Sequence, residues 1–291
     1  MAKPPSILFN TLFRADTDWD HVSLYDPDDD RPVPSPMADD TRRPWVTLTF
    51  AQSLDAKIAG EAGKQLILSG KESMVMTHWM RSMHDAILVG IGTALNDNPQ
   101  LNTRHLPQLS DDGRKKYNLP RPIILDTHLR LRSDCKLLSN YKVGTGRRPW
   151  VVSTTPGSDE GFSAWEKKKK ILEAAGARVI NIEPSQAGLS IPSLLTILRT
   201  LGVRSLMVEG GAGVIKSFLT SAQLQDIAPS DQPSLIQTVD AIIVTVAPTF
   251  VGQEGVGYGD DLLASKMLNM KHICTELFGP DTVMGFTTTL S

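Results

Sequence analysis

Val208-Glu209-Gly210-Gly211-Ala212-Gly213 is the stretch on which the reading of this chain turns. The apolar run before it, Ser205-Leu206-Met207-Val208, has the length and composition of a buried strand. Val214-Ile215-Lys216-Ser217-Phe218-Leu219 after it carries apolar residues at helical spacing. A strand therefore meets a helix through glycines, where an anion can approach the backbone and the positive end of the new helix. Glu209 sets a carboxylate at the same strand end. The spacing is not the full dinucleotide fingerprint, so these six residues alone fit a tight turn as well as a phosphate-binding junction.

Working outward, the whole chain bounds the answer. Its 291 residues can bury a full core, and 41% hydrophobic with 21% charged residues is ordinary for a soluble globular protein. A net charge of -2 gives no global positive field, so no nucleic-acid partner is expected. Cys135 and Cys274 lie far apart and predict neither a disulfide framework nor a cysteine zinc site. None of the six histidines forms a ligand-spaced pair, so no metal is expected. No apolar stretch approaches the length of a membrane span, and the N-terminus lacks a basic region followed by an apolar run. A cytoplasmic setting without membrane contact is the expectation.

Along the chain, residues 1–43 read as an N-terminal arm. Its first half, with Ile7-Leu8-Phe9 and Leu12-Phe13, can dock as a short helix, and its acidic and Pro-rich second half reads as extended. From residue 44 to 291 one domain is expected. Trp45 to Ala51 reads as a strand, followed by the loop Gln52 to Lys57. Ser69-Gly70-Lys71-Glu72 has the form of a capping box opening a helix over about 70–84, whose methionines fill core. Ala86 to Val89 is a strand ending in Gly90-Ile91-Gly92-Thr93, a second glycine-bearing end, and Asn96-Asp97-Asn98-Pro99 reads as a turn. Strands around Pro122–Asp126, Pro149–Thr154 and Ala177–Ile182 alternate with helices over about 159–175 and 191–201, and residues 222–237 read as a surface loop. After the strand Val239 to Val246, the segments Lys271–Thr275 and Thr282–Thr288 can pair as an antiparallel hairpin. Alternating strands and helices predict an α/β fold: a mixed, mainly parallel sheet with helices on both faces. In such sheets ligands bind beyond the carboxyl ends of the strands, so Ser53–Lys57, Gly90–Thr93 and Glu209–Gly213 should gather on one edge.

Taken together, Ser53-Leu54-Asp55-Ala56-Lys57-Ile58-Ala59, Asp85 to Thr93, Asp97-Asn98-Pro99, Leu101-Asn102-Thr103-Arg104 and Val208-Glu209-Gly210-Gly211 resemble the riboflavin-pathway pyrimidine reductases. The match runs in order from about Trp45 to Gly259. The resemblance implies a dihydrofolate-reductase-like fold, NADPH as cofactor, a phosphorylated pyrimidine as substrate and a homodimer. The reaction it implies converts the ribosylamino group of 2,5-diamino-6-ribosylamino-4(3H)-pyrimidinone 5′-phosphate to ribitylamino. Bifunctional relatives add a zinc deaminase domain with paired cysteines, and this chain has no such pair, so it resembles the stand-alone fungal and archaeal type.

Residue by residue, the resemblance assigns Gly90, Gly92, Thr93, Asp97 and Glu209-Gly210-Gly211-Ala212-Gly213 to the cofactor, with Ser153 and Ile180 as further cofactor positions. It assigns Asp55, Lys57, Arg81, Leu101, Arg104 and Glu209 to the substrate, the two arginines as phosphate forks. Lys57 and Glu209 are the catalytic candidates. Plainer roles stand beside these: Asp55 and Asp97 as turn caps, Arg81 as a surface residue of a Met-rich helix, and Gly252 to Gly259 as a loop near the cofactor or a partner subunit. At Gln65-Leu66-Ile67-Leu68-Ser69 the chain departs from the family's Trp followed by Ile-Thr-Ser, and no contact is carried over there. Two other functions share the same residues: reduction of a pterin or folate-like ring, and a nucleotide-sensing module without turnover.

Overall fold

The computed structural model describes residues 4–12, 42–108, 117–183, 189–225, 238–259, 262 and 268–288. In chain order its elements begin with α1 (Ser6–Leu12), β1 (Trp45–Gln52), α2 (Lys71–Ser82), β2 (Ala86–Gly90) and α3 (Ile91–Asp97). They continue with β3 (Arg121–Leu125), α4 (Lys136–Lys142), β4 (Trp150–Thr154), α5 (Asp159–Ala174), β5 (Arg178–Ile182) and α6 (Ile191–Thr200). The last are β6 (Ser205–Val208), α7 (Ala212–Gln225), β7 (Ala241–Val246), β8 (Met270–Phe278) and β9 (Asp281–Thr288).

The nine strands among the described residues form one sheet in the order β5-β4-β3-β2-β6-β1-β7-β9-β8. The first seven of these are mutually parallel, and β9 and β8 close the sheet antiparallel. Parallel strands covered on both faces read as continuous apolar runs, and alternate residues of each run serve opposite cores. Ile87, Val89, Ile124, Val151 and Met207 pack with α2 and α5 on one face. Ala86, Leu88, Ile123, Val152 and Val208 pack with α6 and α7 on the other.

The strand order places the site. Strand β6 lies between β1 and β2. The chain leaves β2 towards β3 and the β5 edge, and it leaves β6 in the opposite direction, past β1 to β7. Adjacent strands whose connections diverge create a crevice at their carboxyl ends. The register of this pair is fixed by Asp85, whose carboxylate accepts the N–H groups of Arg204 at 2.8 Å and Ser205 at 3.1 Å, while its own N–H donates to Ser205 Oγ at 2.9 Å. Farther along the sheet, Arg43 forks onto the Asp240 carboxylate, which also accepts the Val46 N–H at 2.7 Å. That contact ties the start of β1 to the strand it pairs with, β7.

Several elements differ from the expectation. Residues 91–97 form a helix rather than continuing a strand end into a turn, and α4 lies between β3 and β4, where no element was expected. Helix α7 runs through Gln225, beyond the expected start of a loop at 222, and the rest of that loop lies outside the described residues. Of the arm, α1 is integral to the core: Ile7 and Leu8 are fully buried, and the helix packs on β8 and β9. The acidic and Pro-rich part of the arm lies outside the described residues.

The capping box is overturned. The cap residue of α2 is Gly70, and no side chain of the expected box caps the helix. Asp281, at the start of β9, supplies the acceptor instead. Its Oδ2 takes the Gly70 N–H at 2.7 Å and the Ser73 hydroxyl. A carboxylate at a helix N-terminus satisfies free N–H groups and complements the dipole, and here it comes from 211 residues away in sequence. Asp281→Ala should cost about 1–2 kcal/mol of stability, the typical cap range; chemical denaturation at neutral pH measures it, and an unchanged midpoint would show that the cap is not Asp281.

Candidate active site

The two glycine-bearing strand ends meet across the crevice between β2 and β6. Gly90, Gly92, Thr93 and Asp97 from one side and Glu209 through Gly213 from the other line a single cleft of about 680 Å³. The glycines divide into two kinds. A Cβ on Gly90 would stand 2.8 Å from Val214 Cγ2, and one on Gly210 would collide with Val214 itself. These two are glycine because α7 lies hard against both strand ends. A Cβ on Gly92 or Gly213 would meet nothing within 4 Å, so the cleft side of the backbone is open there. A Cβ on Gly211 would lie 3.0 Å from Thr93 Oγ1, the point where the two halves touch. Burial raises the pKa of Asp97.

Glu209, which lines this cleft, is one half of a charge pair. Arg81, in the last turn of α2, donates from Nε to Glu209 Oε1 and from Nη2 to Oε2, both at 2.7 Å. The two side chains are 11% and 16% exposed, so the fork is largely screened from water. A planar guanidinium on both carboxylate oxygens fixes the carboxylate's plane as well as its position. Arg81 Nη1 also reaches the Asn102 carbonyl at 3.4 Å. The Asn102 side chain accepts Arg104 Nη1 at 2.7 Å. One asparagine therefore touches both arginines. Burial first, and then the neighbouring Arg81, lower the pKa of Arg104, with Glu209 opposing. Cations pressed together in this way favour an incoming anion.

The wall beside the cleft comes from β1 and its loop. Ser53 Oγ accepts the Lys57 N–H at 3.0 Å and donates to Asp55 Oδ1 at 2.6 Å. Asp55 in turn accepts the N–H groups of Val251 at 3.1 Å and Gly252 at 2.8 Å. The Ser53 hydroxyl, followed by these two amides, lowers the Asp55 pKa to about 2. A Cβ on Gly255 would stand 2.9 Å from Lys57 Cγ, and Ala59 bridges Val256, so the two loops form one wall.

The sequence-derived candidates are thus placed unevenly. Nine of them, Gly90, Gly92, Thr93, Asp97, Glu209, Gly210, Gly211, Ala212 and Gly213, line the cleft. Arg81 bonds to the cleft residue Glu209, and Asn102 links Arg81 to Arg104. Lys57 and Asp55 belong to the wall, and the Asp55 carboxylate is taken up by the loop it tethers. Ser153, fully buried, donates to the Thr127 carbonyl and accepts the Trp165 indole N–H, while Ile180 packs in the core under α6. Neither of these side chains lines the cleft. Leu101 is 2% exposed, in a left-handed turn with φ 46°, and packs into the core. The reading of Arg81 as a surface residue is overturned by its pairing with Glu209. Gln65 to Ser69, where no contact was carried over, lines the cleft, with Ile67 93% exposed. The three apolar residues Leu66, Ile67 and Leu68 in a loop were the signal for it. Among the described residues no group of His, Cys, Asp and Glu could hold a metal ion, and no helix is long and apolar enough to cross a membrane.

Because the folded pKa of Asp55 lies below its ordinary value of 3.8, protons bind the unfolded state more tightly, and the tether is complete above pH 3.8 and lost as pH falls through about 2. Hydrogen exchange at Val251 and Gly252 should therefore keep its protection factors from neutral pH down to about 4. Asp55→Asn should lower protection at neutral pH, and equal protection in both proteins would remove the tether.

Comparison with known proteins places this architecture. Residues 44–228 match the family model described as RibD C-terminal domain. The 2,5-diamino-6-ribosylamino-4(3H)-pyrimidinone 5′-phosphate reductase of Debaryomyces hansenii is 34% identical over 226 residues, covering 74% of this chain and 79% of the relative. The protein of the same name from Candida glabrata is 36% identical over 217 residues, covering 74% and 78%. Among solved structures, the riboflavin biosynthesis reductase Rib7 of Saccharomyces cerevisiae superposes with a TM-score of 0.60 at 27% identity, covering 86% of this chain and 92% of that one. The chain belongs to the reductases of riboflavin biosynthesis built on the RibD C-terminal domain.

Proposed function

We propose that the chain reduces the ribosylamino group of 2,5-diamino-6-ribosylamino-4(3H)-pyrimidinone 5′-phosphate to the ribitylamino product, with NADPH as reductant. The observation that carries this reading is the Arg81–Glu209 pair set where the glycine-bearing cleft meets Arg104. It puts a fixed carboxylate between a groove suited to a dinucleotide and a cationic corner suited to a phosphate. The fungal relatives carry the name of this reaction, which favours it over a pterin or folate-like substrate and over a sensing module. A cytoplasmic homodimer is part of the same reading, supported by the family resemblance.

The cleft residues fit the cofactor. Open backbone at Gly92 and Gly213 lets phosphates lie close, and the N-terminal end of α7 offers a positive dipole. When bound, the nicotinamide cofactor supplies the hydride. The chain's own residues prepare the sugar. A glycosylamine becomes reducible when its ring opens: the ring oxygen leaves C1′ and gains a proton as the nitrogen lone pair forms a C=N bond. Hydride then adds at C1′, and nitrogen keeps one proton. Lys57 is assigned the proton that goes to the ring oxygen, and Glu209 the orientation of the sugar hydroxyls and the polarisation of the amine. Arg104 anchors the 5′-phosphate, and Arg81, whose fork is taken by Glu209, holds that carboxylate beside it.

The test follows NADPH absorbance with the ribosylamino substrate. Consumption dependent on that substrate is expected, and tight NADPH binding without turnover would overturn the proposal in favour of a sensor. Glu209→Gln should lower kcat by about 10²-fold, within the range of a positioned acid–base group. Arg104→Ala should raise KM about tenfold with kcat nearly unchanged, as for a contact made equally in ground and transition states.

A further inference from the structure

We propose that His78 is a positioning residue for the phosphate end of the site: its imidazole Nδ1 accepts the backbone N–H of Arg104 and so sets where the Arg104 guanidinium reaches. The inference rests on the reading of Arg104 as a phosphate anchor. His78 lies on α2 three residues before Arg81, so both project from the same face of the helix. Its ring is fully buried, and Nδ1 lies 3.1 Å from the Arg104 nitrogen. The segment it holds is one that does not hold itself. Leu101 and His105 adopt left-handed φ angles of 46° and 60°, which side-chain-bearing residues keep only when tertiary contacts fix them. Asn102 fixes the guanidinium of Arg104, and His78 fixes its backbone.

The choice of an imidazole here is not explained by packing. Accepting at Nδ1 places the ring proton on Nε2, and that buried nitrogen has no partner among the described residues. A leucine would fill the space with no orphaned donor, so the acceptor is what the position gains from histidine. Its acceptor state is also protected. The charged and titratable groups around the ring are Arg81, Arg104 and His105, the last packed edge-on at 5.2 Å. Burial first, then Arg81 and Arg104, lower the His78 pKa to about 3 against the opposing Asn102 backbone, so at neutral pH the ring is uncharged and Nδ1 keeps its lone pair.

The experiment compares steady-state kinetics on the phosphorylated substrate and on the same nucleoside without phosphate. His78→Leu should raise KM for the phosphorylated substrate about tenfold, as expected for one lost hydrogen bond in an anchoring network, and leave KM for the nucleoside unchanged. His78→Asn, whose Oδ1 can replace Nδ1 as acceptor, should recover most of the loss. The double variant with Arg104→Ala should be no worse than Arg104→Ala alone. An unchanged KM in His78→Leu, while Arg104→Ala raises it, overturns the role of His78 and leaves the anchor standing. An equal rise for both substrates overturns it too, since that is general damage. Arg104→Ala without effect overturns the anchor and this inference together. Should His78→Leu fail to fold, ¹⁵N-histidine NMR of the unmodified protein at pH 6, assigned against His78→Asn, decides the matter. A neutral ring protonated at Nε2 is expected, and an imidazolium or an Nδ1–H ring overturns the proposal.

Discussion

The site depends on one ion pair, the fork between Arg81 and Glu209. It joins the end of a helix on one face of the sheet to the end of the central strand β6, and it holds both charges where neither is well solvated. Leaving either partner alone would strand a poorly hydrated charge, so the pair constrains where α2 ends. The anchoring of α2 at its other end, by Asp281 of the hairpin, completes the constraint. The helix is thus clamped at one end by the C-terminal β9 and at the other by the cleft.

Everything else in the site follows from that clamp and from the sheet order. Inserting β6 between β1 and β2 makes the two glycine-bearing strand ends neighbours, and the opposed departures of the chain open a crevice above them. Helix α7 then packs so closely that Gly90 and Gly210 have no room for a side chain, whereas Gly92 and Gly213 face open space. The same local chemistry, glycine at a strand end, serves packing in one pair and access in the other. On the far side Asn102 and His78 arrange Arg104 beside Arg81, so the cationic corner is built from two segments 21 residues apart.

Much of this was legible in the sequence, and the exceptions share a cause. The buried strands Ala86–Val89 and Ser205–Val208 announce themselves because both faces are covered and their runs are uniformly apolar. The glycine-rich ends and Glu209 are local motifs, and local motifs survive without coordinates. What could not be read were long-range partners. Ser69 and Glu72 mimic a capping box, but a carboxylate from β9 takes the position. Arg81 looks like a surface residue until Glu209, 128 positions away, is brought to it. Ser153 sits at a strand end as a cofactor residue should, yet Trp165 and the Thr127 carbonyl occupy its hydroxyl. Helix α3 was hidden because glycines and a following Asn-Pro read as a turn, although Ile91 and Ala94 bury a helical face. In α1, the burial of Ile7, Leu8 and Leu12 depends on a hairpin more than 250 residues later.

The central claim is that the cleft and the cationic corner present one carbon of the sugar to the cofactor. Transfer of label from NADPH deuterated at the nicotinamide C4 tests it most directly, read by mass spectrometry and NMR of the product. The account predicts deuterium at the former anomeric carbon of the ribityl chain and nowhere else. Product formed without label at that carbon, or with label on the pyrimidine ring, would contradict it.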